Sequence, residues 1–128
     1  MIFAFDVDGV IFNIEGDYHP SLIGSLKDES VEALKWVRDR GHTIVIFSCR
    51  VNPEVSRLNH WGNYFAELVH ILREHLIRHN VPFDKIAVFK PNADWYFDDR
   101  ANFTNWVDVK RKIIELEESY GYNPNIIQ

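Results

Sequence analysis

MIFAFDVDGV, residues 1–10, decides the fold. Met1 to Phe5 is an apolar run of strand formers that stops abruptly at Asp6, the pattern of a strand buried on both faces rather than one. Two carboxylates, Asp6 and Asp8, follow at once, and Gly9 then lets the backbone turn and approach a ligand closely. Working outward, NIEGDYHPS (residues 13–21) carries Gly16 and Pro20 and reads as a loop beyond the strand's carboxyl end. Helical spacing runs from Asp28 to Arg40 through Val31, Leu34, Lys35, Val37 and Arg38, with Gly41 placed to cap it in the left-handed conformation. TIVIF (residues 43–47) is a second β-branched strand. A strand, a helix and a strand in this order form a βαβ unit with a parallel pair and a right-handed crossover.

The remainder repeats the theme. Ser48 to Asn59 is polar and holds Pro53, and Trp61, Tyr64, Phe65, Leu68, Val69, Leu72, Leu76 and His79 keep a 3.6-residue period in a long helix that ends near Asn80. Pro82 breaks the chain, KIAVF (85–89) is a third strand, WYF (95–97) a short fourth, and Trp106 to Glu118 a closing helix. Alternating strands and helices predict one α/β domain over residues 1–128, a three-layer sandwich with a mostly parallel, Rossmann-like sheet and helices on both faces. Ligands in such sheets sit beyond the carboxyl ends of the strands. That rule selects Asp6, Asp8, Ser48, Arg50, Lys90, Asp98 and Asp99.

Composition limits the function classes. The chain has 128 residues, 46% of them hydrophobic and 26% charged, the balance of an ordinary globular domain. A chain of this length buries roughly two thirds of its surface on folding, so a core forms without disulfides. Lys plus Arg number 14 against 19 Asp plus Glu, and a net charge of −5 argues against a nucleic-acid partner. The single cysteine, Cys49, has no internal partner, and the first residues lack the basic, apolar and small-residue regions of a secretory signal, so the expected compartment is the cytoplasm. No apolar run reaches the roughly 20 residues a membrane span needs.

Asp6 and Asp8 end the first strand, and Asp98 and Asp99 end the WYF strand. If both ends share one rim, the carboxylates converge. Two like charges about 4 Å apart cost on the order of 4 kcal/mol at an effective dielectric near 20, so the cluster calls for a cation. Mg2+ suits it, because that ion is held by one or two carboxylates and completes its shell with water and substrate phosphate oxygens. Ser48 offers a hydroxyl and an N–H, and Lys90 a positive charge, for phosphoryl oxygens. Asp6 can attack phosphorus to form an aspartyl-phosphate, and Asp8 can protonate the leaving oxygen and then deprotonate the hydrolytic water.

These segments resemble the haloacid dehalogenase-like (HAD) hydrolases. FAFDVDGV (3–10) resembles the first motif of that family, IVIFS ending at Ser48 the second, Lys90 the third, and WYFDD ending at Asp99 the fourth, in order over residues 1 to about 110. GHTIVIFSCR (41–50), FDKI (83–86) and KPNADWYFDDR (90–100) look especially like small phosphatase-like members that lack a cap domain. The resemblance implies a HAD-type fold, Mg2+ as cofactor, Asp6 as nucleophile and metal ligand, Asp8 as acid/base and backbone ligand, and Asp98 or Asp99 as a further ligand. The implied activity is hydrolysis of a small phosphorylated metabolite such as a sugar phosphate. Nucleoside monophosphates are the alternative substrates, and a catalytically inactive scaffold is the alternative role. The gaps between motifs are too short for a cap.

Plainer readings stand beside these. Ser48 alone is an ordinary strand-end hydroxyl, and Lys90 an ordinary loop lysine with Lys85 in reserve. Arg50 divides between a phosphate contact and a structural ion pair, and Arg100 between pairing with Asp94 or Asp99 and supporting the carboxylates. Gly9 and His19, with Tyr18 beside it, are candidate substrate contacts above the nucleophile. His75 and His79 have a zinc-compatible i, i+4 spacing, but no third ligand is evident. Cys49 lacks the arginine six residues on that a cysteine phosphatase needs, where Val55 stands, and reads as a small buried hydrophobe. A phospho-receiver domain would carry its phosphorylated Asp after a middle strand of the sequence, which disfavours it here. The 61–79 helix is a candidate homo-oligomer contact.

Overall fold

The structure, a computed structural model, describes residues 1–16, 22–54, 65–100, 103 and 105–124. Tyr18, His19, Trp61 and Tyr64 lie outside the described residues. The elements are β1 (Ile2–Asp6), α1 (Ser30–Asp39), β2 (Thr43–Phe47), a 3-10 turn (Cys49–Val51), α2 (Phe65–Arg78), β3 (Lys85–Ala87), β4 (Trp95–Phe97) and α3 (Trp106–Ser119). The strands form one all-parallel sheet in the order β3-β2-β1-β4, as the βαβ reading requires. The expected third strand is shorter than KIAVF. Ala87 pairs with Phe47, the last residue of β2, so Val88 and Phe89 run past the end of their partner.

Strand alternation sorts the core into two sides. Phe3, Phe5, Ile44, Ile46 and Phe97 point to one face, where Ala33, Leu34 and Val37 of α1, Leu68, Leu72 and Leu76 of α2, and Val109, Ile113 and Leu116 of α3 cover them. Ala4, Val45 and Ala87 point to the other, packed with Phe47, Ala93 and Tyr96. The α/β class and parallel sheet are therefore as expected, and the three described helices bury side chains on the Phe3 and Phe5 face. Handedness explains this. The steps β1 to β2 and β2 to β3 move the same way across the sheet, so right-handed crossovers put α1 and α2 on one side. The return from β3 to β4 must pass over the opposite side, and residues 88–94 make it without a helix. They cross three inter-strand spacings, about 14 Å, and also run back from the carboxyl end of the sheet to its amino end.

Each helix ends in the same way. Gly41 (φ 84°), Asn80 (φ 56°) and Gly121 (φ 66°) take the left-handed conformation. The next N–H then reaches back to close a Schellman motif: His42 to Val37, Val81 to Leu76 and Tyr122 to Glu117. The edge strands begin alike too. Asp84 and Asp94 immediately precede β3 and β4. Asp84 donates its N–H to the Ile44 carbonyl and accepts from the Ile44 N–H on Oδ2 at 2.7 Å. Asp94 does the same with Ile2, also at 2.7 Å. Asp94 thus extends the sheet by one side-chain rung. Cys49 is exposed, contrary to expectation, because the 3-10 turn that it opens buries Arg50 and Val51 instead.

At the amino end of the sheet Glu117 of α3, 2% exposed, receives the Arg40 Nε at 2.9 Å and lies 2.7 Å from His42 Nε2. His42 Nδ1 lies 3.1 Å from the Met1 amine, so a neutral ring with its proton on Nε2 satisfies both contacts. Burial lowers the His42 pKa, chiefly, with the Met1 amine adding to it. Burial alone would raise Glu117, but its hydrogen bonds from Arg40 and His42 outweigh that and hold it below 4.5. Both shifts favour the unfolded chain as proton acceptor. The contribution of these two groups to stability is therefore full above pH 6.5, the unfolded His value, and falls as acid titrates first His42 and then Glu117.

Two predictions follow from these contacts. Glu117→Gln should destabilise by about 3 kcal/mol near pH 7 in urea unfolding and flatten the acid limb of the stability profile. Asp84→Ala and Asp94→Ala should each cost about 1 kcal/mol with unchanged m-value, the part-buried Asp84 rung costing more than the exposed Asp94 one.

Candidate functional site

The crevice between β1 and β4 is where the strand order reverses, and its carboxyl end is where an open α/β sheet places a ligand. Phe5 pairs with Phe97, so the register carries Asp6 and Asp98 side by side past the last rung. Both follow Ala4 and Tyr96 in the alternation and share their side of the sheet. Asp6, Asp98 and Asp99 are each partly buried, and one carboxylate oxygen from each lies within 4.8 Å of the others. Of the four carboxylates expected to converge, these three do.

Backbone geometry makes the cluster possible. Gly9 has φ 81°, where a side chain is strained, and a Cβ built there would stand 2.7 Å from Asp99 Oδ2 and 2.8 Å from Asp99 Cβ. Glycine at this position is what admits Asp99. The role foreseen for Gly9 was a substrate contact, and the structure shows it making room for a carboxylate. Asp98 is fixed in turn, accepting the Arg100 N–H on Oδ1 at 2.9 Å and the Phe103 N–H on its carbonyl at 3.0 Å.

The electrostatics of the cluster disfavour full ionisation. Burial foremost pushes the Asp6 carboxyl up to about 8, opposed by one hydrogen bond from the Val7 N–H and reinforced by Asp98, Asp99 and Asp8. Asp99 is raised too, by burial and then by its hydrogen bond with Asp98. Three carboxylate oxygens this close, with Arg100 acting on Asp99, could hold a hard divalent cation such as Mg2+.

Asp8 goes elsewhere. Its carboxylate accepts the Arg50 Nε on Oδ2 at 2.7 Å and Nη2 on Oδ1 at 2.8 Å. Ser48, 5% exposed, is extended at the end of β2, and its Oγ accepts the Arg50 N–H at 3.1 Å. The hydroxyl proton is thereby left to donate to a ligand. Lys90 is exposed beyond β3, with its ammonium 4.9 Å from the Tyr96 ring centroid, on the face to which Asp6 and Asp98 point. Tyr96 braces that segment, donating to the Pro91 carbonyl and accepting the Ala93 N–H at 3.1 Å. Lys85 is the first residue of β3, at the opposite end from the rim. His19 lies outside the described residues.

Sequence reasoning left the Asp8–Arg50 pair unresolved. A signal was present: Asp6 pairs with Phe47, so Asp8, two residues beyond Asp6, and Arg50, three beyond Phe47, leave the same rim with opposite charges. His75 and His79 meet at a tilt, centroids 4.5 Å apart, and both pack on Phe12 at the edge of the core.

A raised Asp6 pKa means the folded chain binds its proton more tightly than the unfolded one, so metal-free stability declines as pH rises from 3.8 towards 8. Asp6→Asn should raise the metal-free Tm at pH 8 by several degrees and leave it nearly unchanged at pH 4. Adding Mg2+ at pH 8 should raise the wild-type Tm and move that of Asp6→Asn much less.

No family model matches the chain, and no curated protein matches it. A solved structure of a conserved protein from Bacteroides thetaiotaomicron is similar, with a TM-score of 0.65 over 91% of this chain and 91% of that one at 21% identity. The likeness is one of fold: the parallel α/β architecture described above is shared with a natural protein across nearly its whole length.

Proposed function

We propose that the protein is a magnesium-dependent phosphomonoester hydrolase of the HAD-like kind, acting through an aspartyl-phosphate at Asp6 on a small phosphorylated metabolite such as a sugar phosphate. The observation that carries this reading is the meeting of Asp6 with Asp98 and Asp99 at the mouth of the β1/β4 crevice. A nucleophilic carboxylate must be ionised, yet burial and its neighbours hold Asp6 protonated up to about pH 8. A divalent cation held by Asp6, Asp98 and Asp99 would restore the charge and draw a phosphate dianion to the same place.

The chain's own residues then divide the reaction. An Asp6 oxygen forms a bond to phosphorus as the bond to the leaving oxygen breaks, and Asp8 gives that oxygen a proton. Water next attacks the phosphoryl group while Asp8 takes its proton, the Asp6–phosphorus bond breaks, and inorganic phosphate and the free carboxylate return. Ser48 donates its hydroxyl proton to an equatorial oxygen, and Lys90 offsets charge from the Tyr96 side.

The test is hydrolysis of a panel of sugar phosphates and nucleoside monophosphates with and without Mg2+. The expected result is turnover only with the metal, reduced at least about 1,000-fold in Asp6→Asn. Equal activity of Asp6→Asn and wild type overturns the reading, and the ranking of the panel separates sugar from nucleotide substrates.

A further inference from the structure

Arg50 has an unusual position for a charged residue beside a proposed phosphate site. Its side chain is 4% exposed, against 16% for Asp8, so its guanidinium lies behind the carboxylate. Both oxygens of Asp8 are engaged, by Nε at 2.7 Å and by Nη2 at 2.8 Å, in the planar fork that only arginine offers. The last torsion of an aspartate is broad and roughly two-fold when nothing fixes it. Asp8 lies beyond the end of β1 at Asp6, and the isolated bridge it forms with Phe12 holds its backbone rather than its carboxylate. The fork therefore sets the plane of the Asp8 carboxylate, and the 3-10 turn sets the fork, through the Arg50 N–H on Ser48 Oγ.

We propose that Arg50 is a positioning residue for the hydrolysis, acting through Asp8: it holds the carboxylate in one orientation toward the leaving oxygen and the attacking water, and does not itself grip the phosphoryl group. This rests on the phosphohydrolase reading above. Two other roles are distinguishable from it. A phosphate-gripping Arg50 would act on substrate and product affinity whatever residue stands at 8. A purely structural pair would affect only stability, since buried ion pairs are often replaceable without loss of it.

The experiment is a double-mutant cycle of wild type, Arg50→Gln, Asp8→Asn and the double variant, with Arg50→Lys as a fifth protein. The double variant removes both charges together and so keeps a folded reference should Arg50→Gln alone unfold. Each is assayed in Mg2+ on an alkyl phosphate and on p-nitrophenyl phosphate, with inorganic phosphate as competitive inhibitor. Arg50→Gln should lower kcat for the alkyl ester on the order of 10- to 100-fold, as expected for a misplaced acid/base, with KM and phosphate inhibition within about two-fold of wild type. The loss should be smaller on p-nitrophenyl phosphate, whose leaving oxygen needs little help from a proton. In the Asp8→Asn background Arg50→Gln should do nothing further, and Arg50→Lys, which supplies charge without the fork, should recover only part of kcat.

A rise in KM and weaker phosphate inhibition that persist in the Asp8→Asn background overturn the proposal in favour of direct phosphate contact. Unchanged kcat with a lowered Tm overturns it in favour of a structural pair. Absence of turnover in the wild-type protein overturns the phosphohydrolase reading and this inference with it, a result distinct from turnover that ignores Arg50.

Discussion

β1 is paired along both edges, to β2 over its full length and to β4 over three residues, and the rest of the molecule is arranged by that pairing. Its inward side chains, Phe3 and Phe5, are fully buried among all three helices. A parallel register leaves no freedom at the carboxyl end: whatever follows Phe5, Phe47 and Phe97 in the chain is delivered to one rim. A slip of one residue would turn Asp6 into the core and Phe5 out of it, so hydrophobic burial of the phenylalanines positions the carboxylates.

That arrangement makes packing and electrostatics oppose each other. The sheet gains by burying the strand ends, and the same burial raises the cost of charge on Asp6 and Asp99. The molecule separates its acidic groups into two kinds. Asp8 and Glu117 each have an arginine partner that offsets their charge. Asp6, Asp98 and Asp99 crowd together instead, with Arg100 offsetting part of the charge on Asp99, and protonation of Asp6 relieves more of their mutual repulsion.

The sequence was most legible where a single local signal decides the outcome. Runs such as FAF and IVI had one reading as buried parallel strands, and Gly41 one reading as a helix stop. The strand-end rule also chose Asp6, Asp98 and Asp99 correctly as neighbours. Illegible were the features that depend on two distant segments meeting. Asp84 and Asp94 look like loop residues until the register shows them capping Ile44 and Ile2. Arg50 could not be assigned to Asp8 or to a ligand without the distance between them. Cys49 was misread because a three-residue turn inverts the inside and outside expected of an apolar neighbour.

The short return from β3 to β4 has a mechanical consequence. Residues 88–94 carry Lys90 and also supply Ala93 to the cover over Ala4, Val45 and Ala87, tied down by the Tyr96 hydroxyl. The strap and the roof are one piece of chain. A large excursion of Lys90 would have to unseal the sheet beneath it and strip Tyr96 of both its hydrogen-bond partners. The lysine side chain can swing, but the segment that carries it is pinned through Ala93 and Tyr96, so charge is brought to the rim by rotamer choice rather than by loop travel.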